Sequence, residues 1–410
     1  MKRPMQPYTG LQCTQCHRFF PEEAPLGKCP KCQGLLDTLL DETALSHYSK
    51  RQLENDTRSM WKFHMFLPVK AGTIPVTAWE GGTPLRPVKS FPHLRNIRVK
   101  DETRNPTGTF KDRGASLAVT RLSQLRVRRL VLASEGNAGC SFALYSQMAG
   151  IRCHVYLPSD ANNAKVELSK KLGAQVTKVK GTISDAGRHA AKVAEKTGAY
   201  NASTFVTPFR HDGKGTMALE ICQQRGWESP DYIVYPVGGG VGLVGMWKMF
   251  KILYRLGWVR KRPRIIAVQP TGCAPVVDAY NKGRMEVAEW KSPNTIAKGL
   301  KIPKPVAGKW ILKSLRESRG LALKVSDREI QKAMLNVAKR DGLMVEPSSA
   351  AAFAAVPQLY ATGGIDTNDS VVVIATGSGL KTLEQFYRHE TDDLCDREIA
   401  RDGKALSCVL

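Results

Sequence analysis

Lys111 closes the run Asn105-Pro106-Thr107-Gly108-Thr109-Phe110-Lys111-Asp112-Arg113-Gly114, where a turn-rich loop meets a helical pattern. Pro106 and Gly108 fix the loop, and periodicity from Asp112 through Leu125 predicts a helix with an acid in its first turn. The positive end of that helix would lower the pKa of a nearby ammonium. That favours the free amine a Schiff base requires. An ordinary lysine at a helix start is simply solvated, so the reading depends on what accompanies it.

Three further motifs accompany it. Ser134-Glu135-Gly136-Asn137 and Gly238-Gly239-Gly240-Val241-Gly242 each follow an apolar run and open a helical one. Glycines at such a turn let backbone N–H groups close around a phosphate at the positive helix end. Close packing is the plainer explanation of a glycine cluster. A dinucleotide fingerprint is disfavoured, because the strand ending Val268-Gln269-Pro270 offers no acid for a ribose. Thr376-Gly377-Ser378-Gly379-Leu380-Lys381 ends the last strand with hydroxyls suited to a ring nitrogen. A lysine, an asparagine, a phosphate cradle and a hydroxyl together suggest pyridoxal phosphate.

Cys13, Cys16, Cys29 and Cys32 form two Cys-x-x-Cys pairs with twelve residues between them. This spacing places four thiolates around a structural Zn2+, with Gly27 and Gly34 where tight turns are needed. Four thiolates leave no open position, so the metal would hold a fold together and do no chemistry.

The elements that must position these residues alternate. Strands are predicted at 97–100, 130–134, 153–157, 175–179, 232–237, 264–268, 321–325 and 371–375. Helices are predicted at 137–148, 164–171, 184–196, 216–225, 243–256, 327–339 and 350–359, with polar helical sequence from the cysteines to Asp56. Nearly all-apolar strands alternating with helices indicate parallel sheets covered on both faces. The expected fold class is α/β: two doubly wound parallel-sheet lobes with a cofactor in the crevice between them, plus an N-terminal four-cysteine zinc-ribbon-like knuckle. The expected division is a zinc-ribbon-like module at 1–37 and the first part of a large domain at 38–111. A small domain at 112–204, the rest of the large domain at 205–395 and a peripheral tail at 396–410 complete it.

With 410 residues, 42% of them hydrophobic and 24% charged, the chain has the composition of a soluble globular protein. No apolar run reaches membrane-span length, and Met1-Lys2-Arg3-Pro4 is not followed by an apolar stretch, so a cytoplasmic location is expected. The net charge of +24 invites a nucleic-acid reading. The basic residues are dispersed and lack interleaved aromatics, so a diffuse solvated basic surface explains them better.

The set Glu80-Gly81-Gly82-Thr83-Pro84-Leu85, 105–114, 134–137, 238–242 and 376–381 resembles the threonine synthases. More broadly, it resembles the tryptophan-synthase-β-like, fold type II, pyridoxal-phosphate enzymes. Cys273-Ala274-Pro275, Thr295-Ile296-Ala297-Lys298-Gly299-Leu300, Arg316-Glu317-Ser318 and Val345-Glu346-Pro347 extend the likeness over roughly 55–385. The resemblance implies that Lys111 carries the cofactor and then shuttles protons, and that Phe110 packs near the ring. Asn137 would meet the ring's phenolic oxygen, Gly238, Gly239, Gly240, Val241 and Gly242 its phosphate, and Thr376 its nitrogen. The implied substrate is O-phospho-L-homoserine, converted with water to L-threonine and phosphate. Arg210 is the candidate for gripping the substrate phosphate, with Thr83, Ser134 and Lys214 as further candidates. Glu346-Pro347 reads as a helix opening, and His211 is a weaker candidate base.

Related chemistry on phosphoserine, serine or threonine, as in cysteate synthesis or deamination, is the alternative within the class. A nucleic-acid-binding protein on an inactive enzyme fold is the alternative outside it, and a homodimer is compatible with the sequence.

Overall fold

A computed structural model of the chain describes residues 7–21, 25–54 and 59–386. The tail expected at 396–410 lies outside the described residues. The chain opens with β1 (Tyr8–Cys13), β2 (Phe19–Phe20), β3 (Leu36–Leu40) and α1 (Glu42–Ser46). Strands β1, β2 and β3 form an antiparallel sheet in the order β2-β1-β3. Leu36–Leu40 is therefore a strand where helical sequence was expected. Pairing with β1 and burial of Leu36 decide its conformation, over its weak local preference.

The chain continues with β4 (Leu85–Pro87), β5 (Ile97–Asp101) and α2 (Lys111–Gln124). Next come β6 (Arg129–Ala133), α3 (Asn137–Met148), β7 (Arg152–Pro158), α4 (Asn163–Lys171), β8 (Gln175–Val179), α5 (Ile183–Thr197) and β9 (Tyr200–Asn201). The strands of this stretch make a four-stranded parallel sheet, β8-β7-β6-β9.

The rest comprises α6 (Arg210–Gln224), β10 (Tyr232–Pro236), α7 (Val241–Arg255), β11 (Arg264–Pro270), α8 (Pro275–Asn281) and α9 (Gly308–Glu317). It ends with β12 (Leu321–Val325), α10 (Asp327–Asp341), α11 (Pro347–Ala361) and β13 (Val371–Ala375). A six-stranded sheet, β12-β11-β10-β13-β5-β4, gathers strands from both halves of the chain and is parallel except for edge strand β4. Every residue of β13 is buried, as expected for a central parallel strand covered on both faces. Helices α8 and α9 fall in a stretch for which no element was expected, although α9 buries one face through Ile311, Leu312 and Leu315, and α6 begins at Arg210, six residues before the expected start at 216.

A buried ion cluster ties these elements together. Arg113 Nε donates to Glu102 Oε2 at 2.7 Å, Nη1 to Glu220 Oε1 at 2.7 Å, and Nη2 to Glu102 Oε1 at 2.8 Å and Glu220 Oε2 at 2.7 Å. Lys100 Nζ donates to Glu220 Oε2 at 2.6 Å and to the carbonyl of Thr83 at 2.7 Å. All four side chains are fully buried. The two carboxylates hold the Arg113 pKa above its ordinary value against the opposing effect of burial. Removing one partner from such a cluster leaves uncompensated charge in the interior. Arg113→Ala is expected to cost about 3–5 kcal/mol of stability. Denaturant unfolding checks this; a loss below about 1 kcal/mol would show that water or rearrangement satisfies Glu102 and Glu220.

Candidate active site

The carboxyl ends of β5, β13 and β10 lie side by side in the large sheet, and the loops that follow them carry Lys111, Thr376 and Gly238–Gly240. Ligands of open α/β sheets bind at such strand ends. The end of β6 in the smaller sheet adds Ser134–Asn137. All four motifs line one cavity of about 650 Å3, together with Arg210.

Lys111 is the first residue of α2 and half-buried, with Nζ 4.3 Å from the centroid of the Phe110 ring. Its loop is fixed by β13: the Phe110 N–H donates to the Thr376 carbonyl at 3.0 Å, and Thr109 Oγ1 to the same oxygen at 3.1 Å. The Lys111 pKa is pushed down to about 7, first by burial and then by the charge of Arg210; Glu346 opposes the shift and Lys165 adds to it. A large fraction of this lysine is thus the free amine at neutral pH.

Asn137 opens α3, and its Nδ2 donates to Glu346 Oε1 at 2.7 Å. Its Oδ1 is buried without a partner among the described residues. Ser134 lines the cavity while its hydroxyl oxygen accepts from the N–H groups of Gly136 at 3.0 Å and Gly139 at 2.9 Å. The hydroxyl thus shapes the loop and keeps only its own proton to offer. Gly240 caps α7 in the left-handed region at φ 74°, and a Cβ on Gly238 would lie 2.6 Å from the Gly299 carbonyl oxygen. The first N–H to bond within this turn is that of Val244, to Gly240 O, so the preceding amides face outward from the helix end. Gly242 sits against the Tyr235 hydroxyl and does not line the cavity. Thr376 Oγ1 lies 3.0 Å from Ser349 Oγ.

Arg210 opens α6 and is buried, with Nη1 donating to the Ala202 carbonyl at 2.9 Å and the guanidinium 5.0 Å from the Phe142 ring. Nε has no partner and no carboxylate pairs with the group among the described residues, while burial pushes its pKa down to about 10. It is a buried cation without a counter-ion, beside a lysine.

Two candidate substrate residues are displaced by the structure. Thr83 does not line the cavity: its hydroxyl donates to Glu102 Oε1 at 2.6 Å and accepts from Arg113 at 3.1 Å, inside the ion cluster. Lys214 lies one turn beyond Arg210 behind Phe110, with Nζ 3.2 Å from the Arg210 carbonyl oxygen, also off the cavity wall. His211 points away as well, bonding Asp37 at 2.8 Å. It belongs to a group with Asp37 and Asp212 whose centre is taken by the Lys248 ammonium, 2.7 Å from Asp37 and 2.8 Å from Asp212.

Three wall residues have roles that their sequence context hides. Glu346 caps α11 ahead of Pro347, as its sequence suggests, and its carboxylate also accepts from Lys165 Nζ at 2.8 Å. Lys165 is an ordinary-looking residue of α4 that only the packing of α3 and α4 brings to this wall. Among the described residues both carboxyl oxygens of Glu135 are buried without partners, and burial pushes its pKa up to about 8.

The arrangement fits pyridoxal phosphate on its own features. A depressed lysine stands in the cavity, an amide oxygen has no donor among the described residues, and a side-chain-free cradle opens at a helix N-terminus. In the N-terminal sheet the four cysteine sulfurs lie within 4.8 Å of one another, with Cys13–Cys32 at 3.5 Å and Cys16–Cys29 at 3.6 Å. A tetrahedron with metal–sulfur bonds of about 2.3 Å calls for sulfurs roughly 3.8 Å apart, so the set fits a single zinc-sized ion.

Fold and site together define a pyridoxal-phosphate-dependent enzyme. The sequence agrees: the family described as "Pyridoxal-phosphate dependent enzyme" matches residues 76–377. A threonine synthase of Methanocaldococcus jannaschii is 33% identical over 95% of this chain and 98% of its own. One from Mycobacterium tuberculosis is 34% identical over 77% of this chain and 86% of its own. Among solved structures, maize serine racemase superposes with a TM-score of 0.62 at 25% identity, covering 76% of this chain and 93% of its own. A tomato threonine deaminase isoform gives 0.63 at 23% identity, covering 75% and 83%, which speaks for the fold alone. The chain belongs to the threonine synthase family.

The lysine's position yields a pH prediction. Yellow colour from pyridoxal phosphate added to apoprotein should form faster as pH rises through about 7 and level off above it, because only the free amine attacks. An ordinary lysine would keep accelerating towards about pH 10. Rapid-mixing absorbance separates the two, and a rate still climbing at pH 9 would show that Lys111 is not depressed.

Proposed function

We propose that this chain converts O-phospho-L-homoserine and water to L-threonine and inorganic phosphate. One observation carries the reading beyond the family: a buried arginine without a counter-ion shares the cavity with the depressed lysine. A buried charge of this kind is costly unless an anion completes it.

Lys111, Asn137, the amides of Gly238–Val241 and the Thr376 hydroxyl would hold the cofactor, with Phe110 packed beside it. When bound, pyridoxal phosphate supplies an electron sink for charge developing at the carbons next to the substrate amine. Lys111 Nζ would take the α proton as general base and later return a proton as general acid, which a pKa near 7 suits in both directions. Arg210 would grip the substrate phosphate, keep it aligned with Cγ and stabilise its charge as the Cγ–O bond breaks. Loss of a β proton accompanies that departure. Water then adds its hydroxyl at Cβ, and protons return to Cγ and Cα, which balances the overall reaction. Glu346, held by Lys165 and Asn137, would orient the asparagine towards the cofactor.

The four cysteines would bind a structural zinc, and a reducing cytoplasmic compartment would keep their thiols available.

Purified protein should release phosphate from O-phospho-L-homoserine with threonine as co-product. Phosphate release without threonine, or turnover of serine or phosphoserine instead, would overturn the assignment in favour of a related elimination or replacement. Lys111→Ala should abolish both turnover and the attached cofactor's colour. Arg210→Ala should lower kcat/KM for the phosphoester by roughly 10²-fold, the worth of about 2–3 kcal/mol for a lost charged hydrogen-bond pair. Colour should survive that change; if it is lost with the activity, Arg210 serves the cofactor and not the substrate.

A further inference from the structure

The cavity wall is not built by the two parallel-sheet lobes alone. Lys28 and Gln33, which flank the Cys29–Cys32 pair, line the same cavity as Lys111 and Arg210. We infer that the four-cysteine module is a wall of the active site, and that Lys28 positions the phosphate-bearing end of the substrate at the cavity mouth. This rests on the phosphoester reading above.

Two sets of contacts hold the module there, and a third fixes its own loop. The Leu26 carbonyl accepts from the Tyr200 hydroxyl at 3.1 Å, and a Cβ on Gly27 would lie 3.3 Å from the Val206 carbonyl oxygen. The 200–206 segment leads directly into Arg210, and its Val206 also lines the cavity. Within the module, the Cys29 N–H donates to the Gly34 carbonyl at 2.9 Å and the Gln33 N–H to the Cys29 carbonyl at 2.8 Å. A bridge between Lys28 and Leu35 fixes the backbone of Lys28 itself. On the far side of the module, Lys248 Nζ from α7 donates to Asp37 and to the Thr38 carbonyl, each at 2.7 Å. Thr38 Oγ1 donates to Asp212 Oδ2 at 2.5 Å, and Asp212 lies two residues beyond Arg210 on α6. The module is thus clamped to the two helices whose N-termini carry Arg210 and the glycine loop.

The charge at the mouth selects the ligand class. Lys28 stands there with two other exposed cations, Arg188 and Lys304. Arg188 pairs with Asp185, and Lys304 lies 4.0 Å from Glu289, whereas Lys28 pairs with no carboxylate among the described residues. An exposed lysine and a buried arginine without a carboxylate partner on the wall of one cavity suit a dianionic group at the outer end of a small molecule. A phosphomonoester has that charge; an unphosphorylated serine or threonine does not.

The test uses the holoenzyme with Lys28→Glu, Lys28→Arg and, as a control of equal charge change on the same module, Lys31→Glu. KM for O-phospho-L-homoserine is measured together with inorganic phosphate affinity, read from the shift of the cofactor's visible band. Lys28→Glu should raise KM and weaken phosphate binding about three- to ten-fold, the scale of a rim charge, with kcat and the resting spectrum kept. Lys28→Arg should restore both, and Lys31→Glu should match wild type. Cys29→Ser, which loosens the module, should reproduce the Lys28→Glu phenotype. Equal effects of Lys28→Glu and Lys31→Glu, or none from either, would overturn the inference. Wild type that binds inorganic phosphate through Lys28 yet does not turn over the phosphoester would overturn only the activity.

Discussion

Arg113 is the interaction on which the rest of this structure depends. Its guanidinium has five N–H donors in a rigid fork, and a dry interior must satisfy them. Glu102 at the end of β5, Glu220 on α6, Thr83 in the 80–85 loop and Thr216 on α6 do so, at distances of 2.7 to 3.1 Å. Because Arg113 lies two residues beyond Lys111, the fork fixes the start of α2 and with it the position of that lysine. Close approach between α2 and α6 follows. A Cβ on Gly114 would lie 2.6 Å from the Arg210 carbonyl oxygen, and the absence of one lets Lys111 and Arg210 stand at neighbouring helix starts. Charge matching in the core thereby sets the spacing of two basic groups on the cavity wall.

The electrostatic character of the cavity has a common origin. Helices α2, α3, α6, α7 and α11 all begin at its wall. Each contributes outward-facing N–H groups and the positive end of its dipole, and Lys165 and Arg210 add full charges. Such a field lowers the cost of binding an anionic cofactor and an anionic substrate, and it disfavours a proton on Lys111. Glu346 is the counterweight: paired with Lys165 at 2.8 Å, it keeps the wall from being uniformly positive and turns Asn137.

Much of the architecture was legible because parallel sheets mark their own binding edge. An all-apolar strand followed by a glycine- or hydroxyl-rich turn and a helix is a local signal, so 134–137, 238–242 and 376–381 could be placed at strand ends from sequence. The fold class and the convergence of Phe110, Lys111, Asn137, Gly238–Val241, Thr376, Ser134 and Arg210 on one cavity agree with that reading. Thr83 and Lys214 did not follow. A polar residue in a glycine-rich loop looks the same in sequence whether it faces a ligand or a buried carboxylate. The stretch from 275 to 317 hid α8, whose seven residues span too few turns to register, whereas α9 carries a readable apolar face in Ile311, Leu312 and Leu315.

By itself, then, the sequence determined the alternation of strands and helices, the lysine at a loop–helix junction, the glycine cradle and the paired cysteines. Each rests on residues close together in the chain, where backbone geometry and periodicity act. The tertiary structure alone decided which charges are neutralised. Lys165 meets Glu346 from 181 residues away, Arg113 meets Glu220 from 107, and Lys28 lines the cavity from a module that Tyr200 and Lys248 bond to the rest of the protein. Partners so distant in sequence leave no local trace. Burial selects them, since a charge removed from water must find its counterpart wherever the fold supplies one.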